Sequence, residues 1–385
     1  MLRLGQEQKL ELIKQLPKTE LHLHLDGSLS PEFMERESRR SGIRLPVPAA
    51  DIPQWIMEQK CDATKQNVDN VQTKGGNWSV FDFCNQFLQT KIAIQEAVQD
   101  LLNRLYANHT VVYAEIRFAP VFSTLKGLTA REAVEAALAG FNAQDKVRGG
   151  LIICLMRSFD ETHGLEMVEL AKSFWGRNPF GVVGIDVAGD EGSFPLASES
   201  DAMFKGVMKA KDYGIPITIH AGEWPDNKFK TIKNIEFAIN TLGADRIGHG
   251  IALGRHPDVL KLLKDTGTAV EVCLTSNVGR GFKVKSFADH PAKVFAQEKI
   301  PFALSCDNLL LSGDLSIRPN PCGEIMHLLD DVLDGDELER WSIIRRCLLH
   351  GLERGFNPSC PPGFKEWCTK KIDELFKQFQ IPATN

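Results

Sequence analysis

The sequence predicts a single α/β domain over residues 1–385, a closed parallel (β/α)8 TIM barrel spanning about 18–325 with additional N- and C-terminal helices. Two observations carry that expectation. Short apolar, often β-branched runs recur along the chain, and amphipathic stretches separate most of them by roughly the thirty residues that a strand–helix–strand unit needs. Most of these runs also end in a polar residue that is costly to bury, as strands do when their ends converge on the mouth of a barrel.

Taken in order, Leu10, Ile13 and Leu16 recur at helical spacing among charged residues, and Pro17 ends that first helix. The opening strand lies in "ELHLHLDGS" (20–28). There His22 and His24 share one face while Leu21, Leu23 and Leu25 share the other. From about Arg40 to Gly76 the chain is polar and broken by Pro46, Pro48, Pro53 and "KGG", which reads as a surface excursion whose length suits a lid. Seven further strands are expected in "VVYAEIRFAP" (111–120), "LIICLMR" (151–157), "GVVGIDVAGDE" (181–191), "IPITIHAGE" (215–223), "RIGHG" (246–250), "AVEVCLTSN" (269–277) and "IPFALSCDN" (300–308). From Glu324 onward the pattern is helical, giving the outer helix of the last unit and an extension over about 326–385.

Composition narrows the function. Apolar residues make up 43% and charged residues 25%, the proportions of a soluble protein with ample core. A net charge of −5 offers no electrostatic footprint for nucleic acid or an anionic membrane, so a small molecule is the expected partner. No leader with a cleavage site and no long apolar run is visible, which points to a cytoplasmic protein. Nine scattered cysteines without Cys-x-x-Cys pairs read as reduced, mostly buried thiols.

A lone His-x-His pair is ordinarily packing or a turn, but here it has company. His22, His24 and Asp26 end the first strand, His220 the fifth, His249 the sixth and Asp307 the eighth, so the topology aims four imidazoles and carboxylates at one small volume. Zinc suits such donors, with His22, His24, His220 and Asp307 as ligands, and bound zinc lowers the pKa of its water to about 7. Glu223, three residues past His220 in "HAGE", is placed to shuttle a proton, although an acid at a helix N-terminus would look the same. His249, between Gly248 and Gly250, reads either as a further metal neighbour or as an electrostatic stabiliser of the developing charge.

These residues, in "PKTELHLHLDGSL", "EIRFAP", "GIDVAGDE", "TIHAGE", "RIGHG", "TSN" and "SCDN", resemble the adenosine/AMP deaminase branch of the metal-dependent amidohydrolases, from about Pro17 to the eighth strand. The resemblance implies one zinc on His22, His24, His220 and Asp307, with Glu223, His249 and Asp307 as the catalytic set. It implies a substrate-facing set of His24, Asp26, Gly189 and Asn308, in which Gly189 contacts the purine through its backbone and Asp26 binds a ribose hydroxyl. The implied reaction is hydrolytic: hydroxide adds to C6 of adenosine or deoxyadenosine, a ring nitrogen is protonated and ammonia leaves. Relatives that act on free adenine carry Glu-Gly where this chain has Asp26-Gly27, which favours a nucleoside. The chain departs from the animal pattern of two aspartates and a proline in having Asp307, Asn308 and Leu309. An amide at 308 can still donate to the purine N7. The segment "NWSVFDFCNQF" (77–87) lies where relatives place an apolar wall.

The nearest alternative is a deaminase of another 6-aminopurine, such as adenine or an N6-modified nucleoside or nucleotide. No Gly-rich phosphate loop is present to favour a nucleotide. A binuclear amidohydrolase would resemble its relatives in a metal-bridging lysine on the fourth strand, which "GIDVAGDE" lacks. A non-catalytic scaffold would be expected to lose Glu223 or a ligand. The signature of the cytosine-type zinc deaminases is also missing.

Overall fold

The computed structural model describes residues 4–65, 77–224, 230–278, 284–314, 316–356 and 360–382. Eight parallel strands follow one another around a sheet in chain order. They are β1 (Lys18–His24), β2 (Val111–Phe118), β3 (Arg148–Met156), β4 (Val182–Ala188), β5 (Ile217–Ala221), β6 (Arg246–His249), β7 (Ala269–Val272) and β8 (Phe302–Leu304). The eight expected strands are all present, and helices run between them as the barrel reading requires.

Parallel strands buried on both faces need apolar residues on the outside, and Ile153, Leu155, Ile185, Val187, Ile219 and Ile247 supply them beneath the helical ring. The intervening helices begin where a side-chain oxygen satisfies a free backbone N–H: Thr90 caps Lys91–His109, Thr129 forms a capping box with Glu132 at Ala130–Asn142, and Asp160 caps Glu161–Phe174.

The barrel closes between its first and last strands just beyond β8. Asp307 N–H donates to the His22 carbonyl and His24 N–H to the Asp307 carbonyl, both at 2.9 Å, while Leu21 N–H reaches Ser305 Oγ at 3.3 Å. The seam therefore runs through residues predicted to serve the site.

The segment after Arg40 is less of an excursion than its prolines suggest. Pro31–Ser41 and Ile52–Lys65 are helices, and the second buries Ile52, Ile56 and Met57. Pro53 sits in the first turn, where a proline costs no hydrogen bond. Lys60 donates to the Leu311 carbonyl and Arg318 to the Pro53 carbonyl, tying that helix to the turn beyond β8. Residues 66–76, the remainder of the expected lid, lie outside the described residues.

On the outside of the barrel, Glu337–Arg354 packs along β1 and β8. Its buried Trp341 meets Phe376 of Phe364–Gln378 edge-on, so the C-terminal helices share the barrel's apolar core. Cys84, Cys154, Cys273, Cys306, Cys322, Cys347, Cys360 and Cys368 are free thiols, all but Cys360 buried. None of the described helices is long and apolar enough to cross a membrane.

Candidate active site

At the C-terminal mouth of the barrel, one ligand-capable atom each from His22, His220, His249 and Asp307 lies within 4.8 Å of the others. His24 borders the same point, with Nε2 3.2 Å from His220 Nε2 and 3.5 Å from Asp307 Oδ1. The structure thus gathers all five residues expected at the metal and its surroundings.

Their outer atoms separate their roles. His22 Nδ1 is 2.6 Å from Glu271 Oε2, and His220 Nδ1 is 2.8 Å from Asp186 Oδ2. An ionised carboxylate can only accept, so each Nδ1 carries the proton and each Nε2 of the neutral ring presents a lone pair. His22 Nε2 is buried without a hydrogen-bond partner, 3.5 Å from Asp307 Oδ1. An unpartnered imidazole lone pair in a dry core is costly unless something fills it, and carboxylate–histidine pairs of this kind are how proteins orient metal ligands. The donor set of imidazoles and one carboxylate fits a divalent transition metal.

Asp186 and Glu271 are held in turn by one buried cation. Arg117 donates to Asp186 Oδ2 at 3.0 Å, to Glu271 Oε2 at 2.9 Å and to the Leu21 carbonyl. Glu271 also accepts from Thr218 Oγ1 at 2.8 Å and Arg246 Nε at 2.6 Å. Burial alone would raise both acids, but the charges around them prevail. His220 and Arg117 hold Asp186 below the usual carboxylate range, and Arg117 with Arg246 holds Glu271 well below it.

Asp307 is steadied from its far side by Ser276 Oγ, 2.6 Å from Oδ2, and by Ser312 Oγ at 3.2 Å. Both Asp307 (φ 64°) and His249 (φ 66°) adopt the left-handed backbone region that non-glycine residues avoid. Such strain costs on the order of 1–3 kcal/mol each and clusters at functional sites.

A carboxylate clamp positions the next loop. Buried Glu191 accepts from Gly222 N–H at 2.8 Å, Glu223 N–H at 3.0 Å and Asn234 Nδ2 at 2.7 Å. Arg157 donates to the His220 carbonyl beside it. Glu223 consequently stands at the rim, with Oε1 3.9 Å from His249 Nε2.

A matching family model, described as adenosine deaminase, covers residues 17–319. The chain belongs to the adenosine deaminase family. It is an enzyme of that family, whose activity depends on a metal. The adenosine deaminase of Enterococcus faecalis is 36% identical over 305 residues, covering 78% of this chain and 83% of that one. That of Haemophilus ducreyi is 35% identical over 301 residues, with 76% and 81% covered. Among solved structures, an adenine deaminase from Arthrobacter aurescens aligns with TM-score 0.74 at 22% identity, covering 94% of this chain and 99% of that one. An N6-methyl-AMP deaminase from Arabidopsis thaliana aligns with TM-score 0.73 at 22% identity, with 96% and 99% covered. These two likenesses bear on the fold.

In this family member the residues expected to face the substrate lie at or just past the C-terminal ends of β1, β4 and β8. Asp26 is buried, and burial lifts its carboxyl to about 6; Asn85 Nδ2 is 3.5 Å from Oδ2, and Oδ1 has no partner. Asn308 Nδ2 donates to Ser312 Oγ at 3.2 Å, keeping its second hydrogen. Its Oδ1 lies over Gly27, where an added Cβ would come within 1.6 Å. Gly189 follows β4 directly with φ 107°, a conformation suited to glycine. The helix Asn77–Asn85 sets Phe81 with its ring centre 6.5 Å from that of His24.

Sequence reasoning did not single out Arg117, Asp186, Glu191, Glu271 or Ser312. Arg117, Asp186 and Glu271 stand in the quoted strand runs as charges amid apolar residues, a signal that marks inward-facing barrel positions, whereas Glu191 stands in the loop after β4.

Replacing Arg117 with Met is expected to leave Asp186 without its arginine and Glu271 with Arg246 alone, and to lower stability by about 3–5 kcal/mol in denaturant unfolding. Glu191→Gln is expected to unseat the 222–223 turn. The loss, read in kcat with KM nearly unchanged, should be on the order of a hundredfold.

Proposed function

We propose that the chain catalyses zinc-dependent hydrolytic deamination of adenosine, and of 2'-deoxyadenosine, to inosine or deoxyinosine and ammonia. The observation that carries the reading is the convergence of the lone-pair faces of His22 and His220 with Asp307 at one point, with Glu223 and His249 beside it. His22, His24, His220 and Asp307 would hold one zinc. The chemistry a bound zinc supplies is water acidic enough to act as a nucleophile near neutral pH.

The chain's own residues do the rest. Glu223 accepts the proton of the attacking water and delivers it to the purine ring nitrogen, the general acid–base part of the reaction. His249 Nε2 faces the oxygen as it attacks and stabilises its charge. Asp26 offers the oxygen left unpartnered in the structure to a sugar hydroxyl, which supports a nucleoside over a free base. The spare hydrogen of the Asn308 amide serves N7, and the backbone of Gly189 meets the purine. The apolar side chains of Met156, Phe122 and Phe159, grouped near the ends of β2 to β4, offer a wall for the ring. The curated relatives, named for adenosine, support the same substrate.

The test is the ultraviolet change on mixing purified protein with adenosine, repeated after chelation and with zinc restored. Adenine, adenosine monophosphate and N6-methyladenosine monophosphate serve as rival substrates. Adenosine is expected to be turned over fastest, with activity lost on chelation and regained with zinc. Preference for any rival by kcat/KM would replace the substrate assignment. Glu223→Gln is expected to keep its zinc and lose at least about a hundredfold in kcat. Retained turnover in that variant would remove the proton shuttle.

A further inference from the structure

His249 differs from the other imidazoles of the site in what stands behind it. Its Nδ1 faces no carboxylate but the side-chain amide of Asn277, with Nδ2 at 3.1 Å. The amide oxygen of Asn277 is in turn 3.3 Å from Nε2 of His290, and His290 Nδ1 is 3.1 Å from the backbone nitrogen of Ala292. All three side chains are buried, with relative exposures of 0% for Asn277 and 1% for His249 and His290.

The chain of contacts has one end whose direction is fixed by covalent chemistry. The Ala292 backbone N–H can only donate, so His290 Nδ1 must accept and its proton must lie on Nε2. A proton there makes His290 Nε2 the donor, so the atom of Asn277 facing it is the amide oxygen. The NH2 of Asn277 is then turned toward His249. An NH2 facing Nδ1 donates to it, which leaves Nδ1 as the acceptor and places the proton of His249 on Nε2. Burial keeps His290 neutral, pushing its pKa down to about 3, as this direction requires.

We propose that Ala292 N–H, His290 and Asn277 form a directional relay that fixes His249 in the Nε2–H tautomer, so that His249 meets the reacting oxygen as a hydrogen-bond donor and does not ligate the metal. His290 and Asn277 are positioning residues in this scheme, and His249 is the catalytic one. The opposite arrangement serves His22 and His220, where carboxylates hold the proton on Nδ1 and free Nε2 for the metal. The relay explains why His249 Nε2 is buried without a protein acceptor. That proton awaits an oxygen supplied by the reaction. The role given to His249 rests on the proposed deamination; the position of the proton does not.

The experiment is nitrogen NMR of 15N-histidine-labelled, zinc-loaded protein, with assignment by His249→Asn, together with steady-state kinetics. In the wild type, His249 is expected to show a protonated Nε2 and an unprotonated Nδ1. Asn277→Asp keeps the size of the side chain but replaces the NH2 with an acceptor, and is expected to move the proton to Nδ1. Zinc content should stay the same and kcat should fall on the order of a hundredfold or more. His290→Gln retains a donor toward Asn277 and is expected to preserve the wild-type tautomer and most of the activity, whereas His290→Leu should yield mixed tautomers and an intermediate rate.

A wild-type spectrum with the proton on Nδ1, or with Nε2 coordinated to zinc, would overturn the proposal even if no variant folds. Full turnover by Asn277→Asp with the tautomer unchanged would do the same. If adenosine is not a substrate, the nitrogen shifts still decide the tautomer, so failure of the functional reading stays separate from failure of the relay.

Discussion

One guanidinium organises the centre of this barrel. Arg117 is completely buried and lies between Asp186 and Glu271, each of which holds one histidine by its Nδ1. An arginine suits the position because its planar fork reaches two carboxylates and a backbone carbonyl at once and cannot lose its proton. A buried ion network of this sort adds little net stability over a well-packed apolar core. Its effect here is directional: two negative charges are held where each forces a histidine into one tautomer and one orientation. The same network continues through Arg246 to Glu115 and to the carbonyl of Arg354 in the C-terminal helix. The mouth of the barrel and its base are thereby joined through charged side chains.

The four imidazoles at the mouth are chemically identical in sequence and differ only in their neighbours. A carboxylate behind the ring turns the lone pair forward, and an amide nitrogen behind the ring turns the proton forward. A cluster of histidines and one aspartate can therefore hold a cation on one side and donate to an anion on the other. The strained backbones at His249 and Asp307 fit the same picture, since both residues turn away from the strand direction at the points where their side chains enter the site.

Much of this was legible in the sequence, for identifiable reasons. Strand positions followed from β-branched runs at regular spacing, and His22, His24, His220, His249, Asp26 and Asp307 stood out because polar residues at strand ends in a barrel have one place to go. Arg117, Asp186 and Glu271 were equally visible as letters, but their meaning depends on which strand faces which across the barrel. The helix at Ile52–Lys65 was hidden by prolines that break a pattern in the middle of a helix and not at its first turn. His290 falls in a polar loop and gains significance only through Asn277, thirteen residues earlier, a relation that no periodicity encodes.

The seam between β1 and the turn after β8 has a consequence for how the chain reaches this state. Leu21 and Ser305, which meet there, are 284 positions apart in the chain. Contacts of such sequence separation form late, because the entropy of closing so long a loop must be met before any contact rewards it. His22 and His24 acquire Asp307 only in that event, through the same backbone hydrogen bonds that complete the sheet. A chain interrupted during folding, or released before its eighth strand is made, thus holds scattered histidines and no assembled centre. Competence arrives all at once, with the last strand.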